Sequence, residues 1–286
     1  SLFEVYTMHN MILKEESELR IAINNDNWCE AMHILDDPKN HHQVTETDWL
    51  DRKPLHEACM HHDTPLGLVR MLCSVSIGSV LEKDNEGSSP LHYAMIFSSD
   101  EIILALIESC PKAVSIKGNY GWTPLHLAIY WDRSIAVFEA LLSADPSLVV
   151  AQHKHIDNPL HYFFQKWNLG LVDAFQALKY SVPIKSVLNH HVRDNGSIPK
   201  LCKIGEIYGK TILLISSAVY GTTQLSSDRR RFKALHTSVK LNYCPWSFIS
   251  LIRRFHPEEV RIKDAKGNLP LHIAVSNKPY TKGKIV

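Results

Sequence analysis

Apolar residues along this chain recur three and four apart in short stretches, and the stretches come in pairs divided by a polar turn. In one pair Leu125, Ala128 and Ile129 share a face at helical spacing, Asp132-Arg133-Ser134 makes a turn, and Ile135, Phe138, Leu141 and Leu142 form a second stripe. Such a pattern predicts two short antiparallel helices, each with one apolar side, and the small Ala128 lets a neighbouring helix approach closely. Pro124 suits the first turn, because the N–H it lacks would have no partner inside the helix. In the preceding pair Ser98-Ser99-Asp100-Glu101 has the spacing of a capping box and is predicted to open the helix that carries Ile103, Leu106 and Ile107. The second helices are predicted to stop against Pro111, Pro146 and Pro257, since proline cannot continue a helix and disfavours it in its predecessor. Extended segments end near Asp84, Asp228 and Asp264, and Gly87, Gly121, Gly196 and Gly267 each precede a helix start by three residues, where a tight turn needs positive φ.

The pair is a repeating unit. Gly121-Trp122-Thr123-Pro124-Leu125-His126-Leu127-Ala128 has counterparts in Lys53-Pro54-Leu55-His56-Glu57-Ala58, Ser89-Pro90-Leu91-His92-Tyr93-Ala94, Asn158-Pro159-Leu160-His161-Tyr162-Phe163 and Leu269-Pro270-Leu271-His272-Ile273-Ala274. Eroded copies stand at Ile198-Pro199-Lys200-Leu201 and Lys233-Ala234-Leu235-His236. Anchored at positions 54, 90, 124, 159, 199, 234 and 270, the gaps are 36, 34, 35, 40, 35 and 36, and Glu18 lies 36 before Pro54 at the head of Leu19-Arg20-Ile21-Ala22. A period of this length around a T-P-L-H-x-A core resembles the ankyrin repeat. The commoner Gly-Ala-Asp run at the helix end is missing here, which alters a loop and leaves the stack intact.

The resemblance implies an all-α fold, a solenoid of stacked antiparallel helix pairs joined by turn or hairpin-like loops. One array is expected over residues 1–286, with copies starting near 18, 54, 90, 124, 159, 199, 234 and 270. The copies at 199 and 234 are degenerate and the last is cut by the chain end; in the copy at 199, Ile212–Ile215 is expected to serve as the buried second helix. A single helix pair cannot bury its apolar face, so stacking supplies the core and function falls to the surface. Family likeness assigns His56, His92, His126, His161, His236 and His272 structural hydrogen bonds to loop backbone. It also implies partner binding on an inner, concave face, built from positions five, four and two before each anchor and six and seven after it. Those positions are Asn119, Tyr120, Trp122, Tyr130 and Trp131 in one copy, Ile96 and Phe97 in the copy before, and Lys154 and His155 in the copy after. The aromatics flanked by polar residues have the makeup of an interface hot spot. The competing expectation is that Trp122 or Trp131 packs between copies.

Bulk properties narrow the class. In 286 residues, 45% hydrophobic and 21% charged, 31 basic and 30 acidic side chains leave a net charge of +1, so no global field recruits nucleic acid or a membrane. Six scattered cysteines without a C-x-x-C pair fit reduced thiols, and no apolar run approaches the length of a membrane span. These features lead to an intracellular, cytoplasmic or nuclear, monomeric chain with no secretory leader, and both ends suggest a piece of a longer protein.

Candidate chemistry is sparse. Gly205-Glu206-Ile207-Tyr208-Gly209-Lys210-Thr211 approaches a phosphate loop but has Ile204 where the first glycine belongs. The doublets His41-His42, His61-His62 and His190-His191 lack a cysteine or carboxylate at zinc spacing. Arg229, Arg230 and Arg231 form a secondary basic patch that could meet a phosphate backbone, although a solvated turn is the preferred reading. The expectation is therefore a noncatalytic scaffold without cofactor or metal that binds a protein or peptide. The alternative is a recruiting or regulatory segment of a larger enzyme or channel.

Overall fold

Proline opens a helix wherever the repeated motif is intact, because its fixed φ already suits the first turn and its missing N–H leaves nothing to satisfy. In the computed structural model, helices start at Pro54, Pro90, Pro124 and Pro270 themselves. The structure describes residues 16–150, 158–167, 198–221, 233–241 and 244–277; for Tyr120 and residues 198–204 it describes the backbone alone. The chain divides into two compact units, Ser1–Leu148 with His153–Ile156, and Val149–Gln152 with Asp157–Val286.

The first unit holds four helix pairs: α1 (Glu18–Asn24) and α2 (Trp28–Asp36), α3 (Pro54–Ala58) and α4 (Leu66–Val75), α5 (Pro90–Phe97) and α6 (Asp100–Ser109), α7 (Pro124–Tyr130) and α8 (Ile135–Ala144). First helices stack on first helices and second on second, in chain order. Leu55, Leu91 and Leu125 are fully buried in this stack, as are Ala58, Ala94 and Ala128, whose methyl groups let successive helices approach. Leu68, Leu72, Ile103, Leu106, Phe138 and Leu141 close the core from the second helices. Each such leucine contributes about 1.5–3 kcal/mol by leaving water. The helices α6 and α8 end one residue before Cys110 and Asp145, and Pro111 and Pro146 open short 3-10 turns beyond them. Gly87, Gly121 and Gly267 have φ of 75°, 80° and 82°, as their turns require.

The capping box at Ser98 does not form. The residue before α6 is Ser99 and makes no side-chain cap, while the Ser98 hydroxyl donates 2.9 Å to the Cys59 carbonyl in the previous copy. A buried carbonyl needing a donor outcompeted the local cap.

Imidazoles join one copy to the next. A backbone N–H can only donate, so Nδ1 of His56 accepts from Lys53 N at 3.1 Å and Nδ1 of His92 from Ser89 N at 3.2 Å. A carbonyl can only accept, so Nε2 carries the ring proton and donates across the copy boundary, from His56 to Glu82 O and from His92 to Trp122 O, both at 3.2 Å. Nδ1 of His126 repeats the inner half with Thr123 N at 3.2 Å. Burial pushes the His92 ring down to about 4, only partly countered by the Trp122 carbonyl, and lowers His56 in the same direction. The first copy has Arg20 at the histidine position. It solves the problem with charge, pairing at 3.1 and 2.5 Å with Glu57 of the next copy, beside an Asp48–Arg52 pair at 2.7 Å. Burial penalises the Arg20 charge, and the carboxylates of Glu57 and Asp48 more than offset it, so the guanidinium pKa is raised.

In the second unit residues 159–167 form helix α9, followed by α10 (Ile198–Tyr220), α11 (Ala234–Lys240), α12 (Trp246–Phe255) and α13 (Pro270–Ser276). Phe163, Phe164 and Phe248 make its aromatic centre, with Phe164 and Phe248 centroids 4.7 Å apart. The helix pair expected after position 199 is instead the single 23-residue α10, with Ile212–Ile215 in its second half. After Pro199 in its first turn no further proline lies inside that span, and Gly221, with φ 65°, follows its end. Where Ala234 stands in place of proline, the helix start regains N–H donors, and Glu259 takes them, accepting from Ala234 N at 3.2 Å and Leu235 N at 2.8 Å.

Two outcomes test this packing. Leu106→Ala leaves a void in a dry core and should destabilise the first unit by about 2–5 kcal/mol in urea unfolding. The histidines set a pH window: an unfolded ring protonates near its ordinary value of about 6.5, the folded His92 ring near 4. Stability carried by the neutral ring is therefore complete above about pH 6.5 and falls as pH drops toward 4, by up to about 1.4 kcal/mol per pH unit for each such ring. Urea midpoints measured across that range should decline, and His92→Gln should flatten the decline.

Candidate functional site

Repetition puts chemically different side chains at equivalent places, and one surface of the first unit gathers the aromatics. It is built from the 3-10 turn Asn119–Gly121, the following Trp122, and the C-terminal ends of α5 and α7. Trp122 and Tyr130 meet edge to face at 5.9 Å and 83°, and Tyr130 meets Trp131 at 5.3 Å and 79°. Trp122 also lies 5.8 Å from the His126 ring. Trp122 is half-buried, whereas Tyr130 and Trp131 are 50% and 48% exposed. Phe97 stands on α5 at the register Trp131 has after α7 and is 44% exposed; Ile96 beside it is half-buried. Tyr120 belongs to the same turn by its backbone. Lys154, His155 and the arginines 229–231 lie outside the described residues.

This surface is held in place from beneath. A methyl group on Gly118 would come within 2.9 Å of the His92 ring, so only glycine lets that loop settle on the imidazole that grips the Trp122 carbonyl. Gly118 N in turn donates to Trp122 O at 2.7 Å. Arg133 reaches back from the α7–α8 turn and donates to the carbonyls of Met95 at 2.9 Å and Ser98 at 2.9 Å, fixing the end of α5 where Phe97 projects. Asn119 packs against Gly87 of the preceding loop, whose missing side chain makes room: a Cβ there would fall 2.7 Å from Asn119 Oδ1.

Sequence reasoning passed over three participants. Trp49, five residues before Pro54, holds the register of Asn119 and is 55% exposed; its loop is tied to the next by Asn85 N donating to Leu50 O at 2.8 Å. Asp48 accepts from Leu50 N and Arg52 N at 2.8 Å, the turn that Asp84 and Asp264 also make. Position in the repeat was the available signal for both. Arg133 carried none, since its partners are carbonyls some 35 residues away.

Of the remaining candidates His190 and His191 lie outside the described residues, and most of the others have structural partners. His161 N donates to Asn158 Oδ1 at 2.8 Å, His236 Nε2 faces Asn268 O at 3.2 Å, and His272 Nδ1 accepts from Leu269 N at 3.3 Å. His41 and His42 face the carbonyls of Leu35 and Lys39, and His61 pairs with Asp26 at 2.8 Å. Residues 205–211 form helix rather than a phosphate-cradling loop, with Lys210 buried against Glu206 at 2.7 Å and the Thr211 hydroxyl donating to Ile207 O. Burial raises the thiol of Cys73 to about 11 and pushes those of Cys59 and Cys244 higher still, so none is a poised nucleophile. Among the described residues no group of three or more metal-ligating side chains comes together, and no helix is long and apolar enough to cross a membrane.

Comparison with known proteins agrees with this geometry. Family models described as "Ankyrin repeats (3 copies)" and "Ankyrin repeat" match residues 19–117 and 120–150. The probable 26S proteasome regulatory subunit p28 of Saccharomyces cerevisiae is 32% identical over 77 residues, 26% of this chain and 33% of that protein. Ankyrin repeat domain-containing protein 13C of Xenopus tropicalis is 33% identical over 128 residues, 40% of this chain and 24% of that protein. The matches thus span a third or less of either relative's length. Among solved structures, the ankyrin repeat domain of Bcl-3, of the IkappaB protein family, is similar in fold over 94% of this chain and 98% of its own, with a TM-score of 0.50 at 17% identity. Repeat register, helix starts, bridging histidines and these matches together make the chain an ankyrin-repeat protein.

Proposed function

We propose that the chain is a noncatalytic scaffold that captures a protein or peptide partner on the inner face of one ankyrin array, centred on Trp122, Tyr130 and Trp131. The ankyrin fold is typically an interaction module, and the observation that carries the choice of surface is the chain of edge contacts joining three aromatic rings, two of them about half exposed. Large apolar side chains gathered in water favour a cover, and aromatic clusters ringed by polar groups are where binding energy concentrates. Asn119 and Asn85 supply a polar rim, while Ile96, Phe97 and Trp49 extend the apolar area along the same register. The shared starts at 18, 54, 90, 124, 234 and 270 support a single array. Free thiols at Cys29, Cys59, Cys73, Cys110 and Cys244 fit a reducing compartment.

Substituting both Trp122 and Trp131 by alanine should weaken partner capture in an affinity pull-down from source cells by at least about 30-fold, equivalent to about 2 kcal/mol. The helical melting curve should stay in place. Binding and folding lost together would instead identify these rings as packing between copies.

A further inference from the structure

The second unit carries a groove of a different chemical character, about 660 Å³, lined by α11, the end of α10 and the turn that precedes α13. Among the described residues Lys233, Lys240, Lys263 and Lys266 rim it, with one carboxylate, that of Asp264. We propose that this groove binds an acidic peptide segment of a partner protein, one presenting clustered carboxylates.

Charge is the first argument. Among the described lining residues four ammonium groups surround a single carboxylate, and none of the four forms an ion pair with another described residue; Lys233 Nζ donates to the Lys263 carbonyl. Asp264 is already committed, its Oδ1 accepting from Lys266 N at 2.9 Å and Asn268 N at 2.8 Å to close the turn. The local field is thus strongly positive in a chain whose overall charge is only +1.

Two features favour carboxylates over a nucleic-acid backbone. The turn N–H groups that would cradle a phosphate already serve Asp264. Tyr220, the one phenol ring among the described lining residues, is held by its hydroxyl to Thr237 Oγ1 at 3.2 Å and gives no row of stacking platforms. Ala265 and Ile273 offer an apolar wall for the methylenes of glutamate side chains.

The test is fluorescence anisotropy of a labelled oligoglutamate peptide with the full chain at about 0.15 M salt. Oligoglutamate should bind and oligoglutamine should not. The variant K240E/K263E/K266E should weaken binding at least about tenfold, whereas K39E/K83E/K112E, an equal change of net charge on exposed lysines of the first unit, should not. K240Q/K263Q/K266Q gives the same reading should charge reversal disturb the helical spectrum. No binding of oligoglutamate, an equal loss in the two reversal variants, or tighter binding of a single-stranded oligothymidylate would overturn the proposal. None of these outcomes depends on the aromatic surface of the first unit.

Discussion

The structure depends on how a short helix pair is joined to its neighbour, and in this chain a neutral imidazole makes the joint. His56 and His92 each close the start of their own helix through Nδ1 and grip the following loop through Nε2. One side chain thus satisfies a donor left over by helix geometry and an acceptor left over by loop geometry. Protonation of the ring breaks the inner bond, because Nδ1 then has no lone pair with which to accept, while Nε2–H still donates to the loop carbonyl. Burial holds the ring neutral, and the surrounding leucines and alanines provide the burial.

This joint also explains why the aromatic surface exists where it does. The carbonyl that His92 holds belongs to Trp122, and Gly118 lets the loop lie close enough for that contact. The loop bearing Trp122 is positioned by the copy before it, and Arg133 in the copy after fixes the carbonyls at the end of α5. The surface is therefore a property of neighbouring copies together. A lone helix pair carrying the same residues would hold neither the loop nor the ends of the first helices in register.

Much of this could be read from residue order. A proline at N1, a leucine and an alanine at fixed distances and a histidine between them are local demands of one helix start, so the intact copies announced themselves, whereas Asn119, Trp122, Tyr130 and Trp131 were singled out only through the family resemblance. What stayed hidden involves contacts remote in sequence. Ser98 satisfied a carbonyl 39 residues away instead of its own helix. Arg20 replaced the histidine with a buried ion pair, a substitution that only the position of Glu57 explains. The span from 198 to 220 carries an apolar stripe and no stop, so its single long helix was implicit in the missing punctuation, and assuming the repeat register there obscured it. Glu259 compensates for the proline absent at 234 from a place no local pattern indicates.

The most direct test of the joint is the protonation pattern of the rings themselves, observed by long-range proton–nitrogen NMR correlation on the labelled full chain. The account predicts that both rings carry their proton on Nε2 at neutral pH, that His56 titrates below the ordinary imidazole value, and that His92 stays neutral until pH approaches about 4. A proton on Nδ1 at neutral pH, or titration of these rings at the ordinary value of about 6.5, would show that the imidazoles do not bind one copy to the next.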